Sequence, residues 1–169
     1  MGLLSRRSAL FAAPAGLTAV VGVSAVSTGA VPAAASPAAS PTETFTLVAA
    51  RAKNSLPTAP TVGTSFAMLL ELFDMSAGAA GDGSILGAVV NLTADTPPKV
   101  VVQSEIVLRL RDKGELHLST MHALVVPSPV ANPLAIVGGT DAYASVRGDG
   151  TISYPTADRI DLTLRIMTG

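Results

Sequence analysis

Asp141, Tyr143, Ser145 and Arg147 alternate with Ala142, Ala144 and Val146 just after Gly138-Gly139-Thr140. On a strand, residues two apart share a face, so the four polar side chains would project together. Two readings follow. In one, the polar set lines a lumen, Arg147 and Tyr143 donate to a ligand oxygen, and Asp141 serves as acid or base. In the other, the set is a solvated exterior. Glu71 stands in an otherwise apolar run, on the parity of Ala67, Leu69 and Phe73. Such a carboxylate is either a general acid or a solvent-facing residue beside exposed apolar ones. Glu105 shares a parity with Gln103, Val107, Arg109 and Arg111. It either pairs with Arg109 in a lumen or lies with it on a wet face. His117 and His122, five apart on one strand, face opposite sides. They cannot jointly hold one metal, and each is a catalytic base, an exterior residue or a satisfied core histidine.

No serine-nucleophile elbow, phosphate-binding loop, zinc spacing or dinucleotide fingerprint is present. The glycine-rich segment 78–87 reads as a turn, because no Lys-Ser/Thr follows it. The chain has 169 residues and no Cys. That composition excludes a disulfide scaffold, a thiol nucleophile, an iron–sulfur cluster and a Cys-ligated zinc. Eleven Lys and Arg against twelve Asp and Glu give a net charge of -1. With the basic residues scattered, a nucleic-acid partner is not expected.

These side chains need a scaffold, and the scaffold does not start at residue 1. Residues 1–35 contain no acidic residue and two basic ones, Arg6 and Arg7. A mildly apolar stretch runs to Ala30 and ends in Ala33-Ala34-Ala35. This is the order of regions in a cleaved signal peptide, and the paired arginines resemble a twin-arginine leader. The alternative is a membrane anchor, for which the stretch is about long enough. Its Gly, Pro, Ser and Thr content and the lack of a basic stop-transfer cluster argue for cleavage, hence secretion with no stable anchor. Residues 36–42 read as a linker and 43–169 as the folded domain. Removal of 1–35 leaves 134 residues, enough to bury a core without disulfides.

Beyond the linker, apolar residues alternate or run in short blocks between turn signals. The expected strands are 44–50, 65–73, 84–92, 100–111, 115–126, 134–137, 142–146 and 159–166. Asp112-Lys113-Gly114 marks a tight hairpin, the prolines 127, 129 and 133 a loop, and Gly148-Asp149-Gly150 a turn. The last strand alternates most cleanly, Ile160, Leu162, Leu164 and Ile166 against Arg159, Asp161, Thr163 and Arg165. It must have one buried and one wet face. Eight short antiparallel strands predict an all-β fold, a sandwich or a closed barrel.

The stretch from Ala135 to Gly148 resembles the allene oxide cyclase and dirigent superfamily. That family carries an apolar residue before Gly-Gly-Thr-Gly, then an aromatic, small residues and Ala-Arg-Gly. Here Gly138, Gly139, Thr140, Tyr143, Arg147 and Gly148 match. Asp141 stands on the family's third glycine and Val146 on its alanine. Leu108 to Leu116 is similar to the family's central hairpin, and Leu72-Phe73-Asp74 with the glycines after it to its turn after the second strand. The resemblance covers about residues 43–167. It implies an eight-stranded antiparallel β-barrel, a homodimer or homotrimer, no metal or organic cofactor, and an apolar pocket that folds a reactive small molecule before it cyclises or couples. It also implies that Arg147 faces the pocket. The expected function is therefore an exported cyclase, isomerase or stereochemical guide acting on an apolar small molecule. A lipocalin-like carrier and an interaction module with a filled barrel are the rivals, the latter separable by the size of the inward side chains.

Overall fold

The computed structural model describes residues 42–168. The expected leader, 1–35, and all of the linker but Thr42 lie outside them. The chain forms β1 (Thr42–Asn54), β2 (Ser65–Phe73), β3 (Ala79–Leu92), β4 (Val100–Leu110), β5 (Gly114–Leu124), β6 (Ser128–Gly139), β7 (Val146–Tyr154) and β8 (Arg159–Thr168). Each strand pairs antiparallel with the next, and β8 closes onto β1 through the ladder from Thr42–Met167 to Ala50–Arg159. The expected eight-stranded antiparallel barrel is therefore the fold. Closure leaves no free edge at the β1–β8 junction.

Alternation decides what the barrel holds. On β8, Ile160, Leu162, Leu164 and Ile166 are buried, and Arg159, Thr163 and Arg165 are exposed. Phe66, Met68, Leu70 and Leu72 do the same on β2, and Val102 to Leu110 on β4. The inward residues meet in one apolar cluster spanning all eight strands. The middle of the lumen is thus a packed core rather than an open channel, as narrow barrels require.

Four expected boundaries are corrected. Segment 78–87 is mostly strand, not turn. Gly87 faces inward beside Phe66 and Ser104, and a Cβ there would come within 2.7 Å of the Ser104 Oγ. The glycine admits the Phe66 ring instead of breaking the ladder. The expected seventh strand, 142–146, is not a strand. A short 3-10 turn, Asp141–Tyr143, occupies it, and the true strand begins at Val146. Gly148-Asp149-Gly150 lies inside β7, because a Cβ at Gly148 would overlap the Arg165 carbonyl oxygen of β8. Two glycines let these strands approach closely. Finally, the proline-rich stretch after residue 127 belongs to β6. Pro133 pairs with Thr151 of β7, but the β5–β6 ladder covers only Leu116–Ser119 against Ala135–Gly139. A proline is tolerated there because its missing N–H faces no ladder partner.

The barrel has two unlike ends. The hairpin end carries the β2–β3, β4–β5 and β6–β7 connections. The loop end carries the other four. Toward the loop end, β5 from Thr120 to Leu124 is laddered only to β4, and β6 from Ser128 to Leu134 only to β7. This leaves a seam between β5 and β6.

Candidate functional site

Three buried polar side chains stand against the apolar lumen: Ser104, Thr120 and His122. Thr120 and His122 continue the inward parity of Leu116 and Leu118 along β5, and Ser104 pairs across from Thr120 on β4. Thr120 sits on the seam. Its hydroxyl donates to the Pro133 carbonyl at 2.8 Å, and the same oxygen lies 3.2 Å from His122 Nδ1. A hydroxyl has one proton, and a carbonyl can only accept it. Thr120 Oγ1 must therefore accept from Nδ1–H, which fixes the tautomer and leaves Nε2 with its lone pair. That Nε2 is buried and has no hydrogen-bond partner. Burial lowers the His122 pKa, because desolvation disfavours the imidazolium. The ring is a neutral base held in one orientation.

Tyr154, at the end of β7, stacks on His122 with ring centroids 5.6 Å apart. Burial raises its pKa strongly, and Arg51 partly opposes the shift. Tyr154 is a protonated phenol. Arg51 continues the inward parity of Leu47 and Ala49 on β1, where a register shift follows it. Its backbone N–H donates to the Asp158 carbonyl at 2.9 Å. Its Nε and Nη2 are buried and unpartnered. On the outer side of the seam a recess of about 520 Å³ is lined by Thr120, Met121, Pro133 and Leu134 among others. It leads to the threonine that orients His122.

The residues singled out from sequence are not brought together. Glu71 and Glu105 are exposed on the outer faces of β2 and β4, so neither lines the lumen. Arg109 pairs with Asp82 of β3 at 2.7 Å on the exterior, not with Glu105. Arg147 is exposed, on the parity opposite to inward Val146, and its Nη1 donates to the Val146 carbonyl at 2.7 Å. The lumen position expected for Arg147 is corrected. Asp141 is exposed in the 3-10 turn. Of Asp141, Tyr143, Arg147, Glu71 and Glu105, Tyr143 alone is buried, and burial followed by the charge of Glu43 raises its pKa. It borders a recess of about 360 Å³ at the hairpin end, with Phe45, Leu110, Glu43 and Lys113. His117 is half-exposed, 3.6 Å from Glu115, on the face opposite His122.

Arg51, Thr120 and Tyr154 were not among the expected site residues. Arg51 lies one residue past the expected end of the first strand, and Tyr154 falls in the strand read as a turn. The alternation Leu116, Leu118, Thr120, His122 is the one signal that leads to the site. Among the described residues no group of three or more His, Cys, Asp or Glu could hold a metal ion.

The fold and its lumen define a closed eight-stranded antiparallel barrel, and solved proteins share it. A pyocyanin demethylase superposes with a TM-score of 0.62 at 22% identity, over 74% of this chain and 100% of that one. The exo-specific intermolecular Diels-Alderase AbnU superposes at 0.59 and 15% identity, over 75% and 98%. The pterocarpan synthase dirigent protein PsPTS1 gives 0.52 and 14%, over 76% and 94%. At these identities the likeness is one of fold. No protein-family model matches the chain, and neither does the sequence of any curated protein.

Proposed function

We propose that the protein is an exported, cofactor-independent cyclase, isomerase or stereochemical guide for an apolar small molecule, working at the loop end of the lumen. The observation that carries the reading is the buried, unpartnered Nε2 of His122, whose tautomer Thr120 fixes. A neutral imidazole in a desolvated site is a competent base. It would take a proton from the α-carbon of a β,γ-unsaturated carbonyl, the C–H electron pair becoming a C=C bond while the carbonyl π pair moves onto oxygen to give a dienolate whose γ-carbon can accept the proton. The imidazolium would then return the proton at a second carbon, giving an isomer. Held by apolar walls and by the Tyr154 phenol, the same intermediate can instead be oriented for ring closure. Solved proteins of this fold described as a Diels-Alderase and a dirigent protein support that class of chemistry. The leader-like residues 1–35 support export. Assembly into a homodimer or homotrimer is supported by Leu69 and Leu86, apolar and exposed on neighbouring outer positions of β2 and β3.

The test is mass spectrometry on the purified mature domain incubated with a small-molecule extract of its producing cells. A product of unchanged mass and shifted retention is expected. His122→Gln should lower its formation by about 100-fold or more, while Arg147→Ala leaves it unchanged. Conversion that survives His122→Gln would remove the base from this site. A ligand retained without change would make the protein a carrier.

A further inference from the structure

Arg51 presents a charge problem that the proposed chemistry does not use. Its guanidinium points into the loop end of the lumen with Nε and Nη2 buried and unpartnered. No ion pair of Arg51 exists among the described residues, and no Asp or Glu among them is buried. The polar groups recorded against Arg51 are Tyr154, whose phenol feels the Arg51 charge, and the backbone carbonyl of Asp158, which accepts from the Arg51 N–H. A tyrosine held protonated cannot supply the anion. Arg51 as a whole is partly exposed, but two of its three guanidinium nitrogens are enclosed without a partner, which is disfavoured, and a guanidinium presents its donors in a planar fork suited to two oxygens.

From this we infer that the ligand supplies the missing charge: the site takes an organic anion, an apolar body bearing a carboxylate, sulfonate-like or enolate oxyanion. The inference rests on the loop end being the binding site, as in the proposed function. On this inference one ligand meets three functions. The oxyanion sits on Arg51. The planar body lies by the His122–Tyr154 stack. The acidic hydrogen reaches His122 Nε2. Entry runs through the β5–β6 seam, where a single side-chain bond from Thr120 to Pro133 replaces the ladder. Arg51 is then a residue of ligand specificity, and it selects by charge rather than by shape.

The experiment compares two dyes with the same aromatic body. One, 8-anilinonaphthalene-1-sulfonate, is an anion, and the other, N-phenyl-1-naphthylamine, is neutral. Fluorescence titration of the mature domain should show one anionic dye per chain, bound at least about tenfold tighter than the neutral one. Arg51→Met should abolish that preference while leaving the neutral dye's affinity in place, and Arg51→Lys should restore part of it. His122→Gln should keep the preference although it loses turnover, which separates the two assignments. Equal affinity for both dyes in the natural protein, or a preference that survives Arg51→Met, would overturn the charge assignment and leave the base at His122 standing. Binding of neither dye would overturn both.

Discussion

The two ends of this barrel are built by opposite rules. At the hairpin end the backbone closes on itself. Thr140 N–H donates to the Glu115 carbonyl at 2.9 Å, and Glu115 N–H returns a bond to Thr140 Oγ1 at 3.0 Å. Asp74 Oδ1 accepts from the N–H groups of Ser76 and Gly78, both at 2.8 Å, and so ties the β2–β3 turn. At the loop end, β5 and β6 part, and polar atoms of His122 and Arg51 are buried without partners. Buried groups left unpaired destabilise a fold. The end that carries them is therefore where a ligand changes the energetics most. The contrast separates a recognisable motif from a chemical site: Gly-Gly-Thr belongs to the first end, and the base to the second.

The sharpest way to break the contrast is through glycine. A Cβ on Gly139 would overlap the Glu115 carbonyl oxygen and stand 2.7 Å from the Tyr143 Cβ. Gly63, in the β1–β2 loop at the other end, has φ of +90° and nothing within 4 Å of where its Cβ would be. Gly139→Ala is expected to destabilise by about 2–3 kcal/mol, because backbone and not a movable side chain blocks the methyl. Gly63→Ala should lose only about 1 kcal/mol, the cost of the positive φ. Urea unfolding of both variants checks this. Equal losses would mean that the hairpin end is no more tightly packed than the loop end.

Acid should act on the loop end alone. The folded-state pKa of His122 lies below its unfolded value. As pH falls through the unfolded value, near 6.5, the unfolded chain takes up a proton that the folded one does not. Stability then declines, by at most about 1.4 kcal/mol per pH unit, until the folded pKa is passed. His122→Gln should flatten this part of a stability curve measured from pH 8 to 5. A decline unchanged by the substitution would place its source outside His122.

What could be read from sequence follows the same division. Strand β2 was legible to the residue because Phe66, Met68, Leu70 and Leu72 alternate without interruption. Strands β3, β6 and β7 were not, because glycine and proline inside them look like turns. Their reason for being there is visible only across the ladder: Gly87 makes room for Phe66, and Pro133 faces a seam. The polar alternation from Asp141 to Arg147 imitated a strand. Instead the Ala142 N–H goes to the Lys113 carbonyl and the Tyr143 N–H to the Thr140 carbonyl, which closes a local turn. His122 stands in the sequence with its role open between base, exterior and core residue, because a lone histidine among leucines carries no spacing signal. Its role arises from Thr120 two residues before it and from a tyrosine and an arginine on strands far away in the chain.

Asp141 carries the smallest expected effect and tests the structural reading of the motif. It has φ of +52°, the left-handed region that favours glycine. It occupies the position where the resembling family has its third glycine. Aspartate is among the side chains that tolerate this region, and here Thr140 Oγ1 donates to its Oδ2 at 3.2 Å. Asp141→Gly removes that contact and adds freedom to the unfolded chain, but it also relieves the backbone. The net change should lie within about 0.5 kcal/mol. Asp141→Val has no such compensation, since a β-branched residue at positive φ is a true outlier, and should destabilise by about 1–2 kcal/mol. Neither substitution should alter turnover, because Asp141 lies in the β6–β7 turn of the hairpin end and the base is at the other. If Asp141→Gly left stability in place and abolished turnover, the carboxylate would be chemical after all, and the recess beside Tyr143 would become the site.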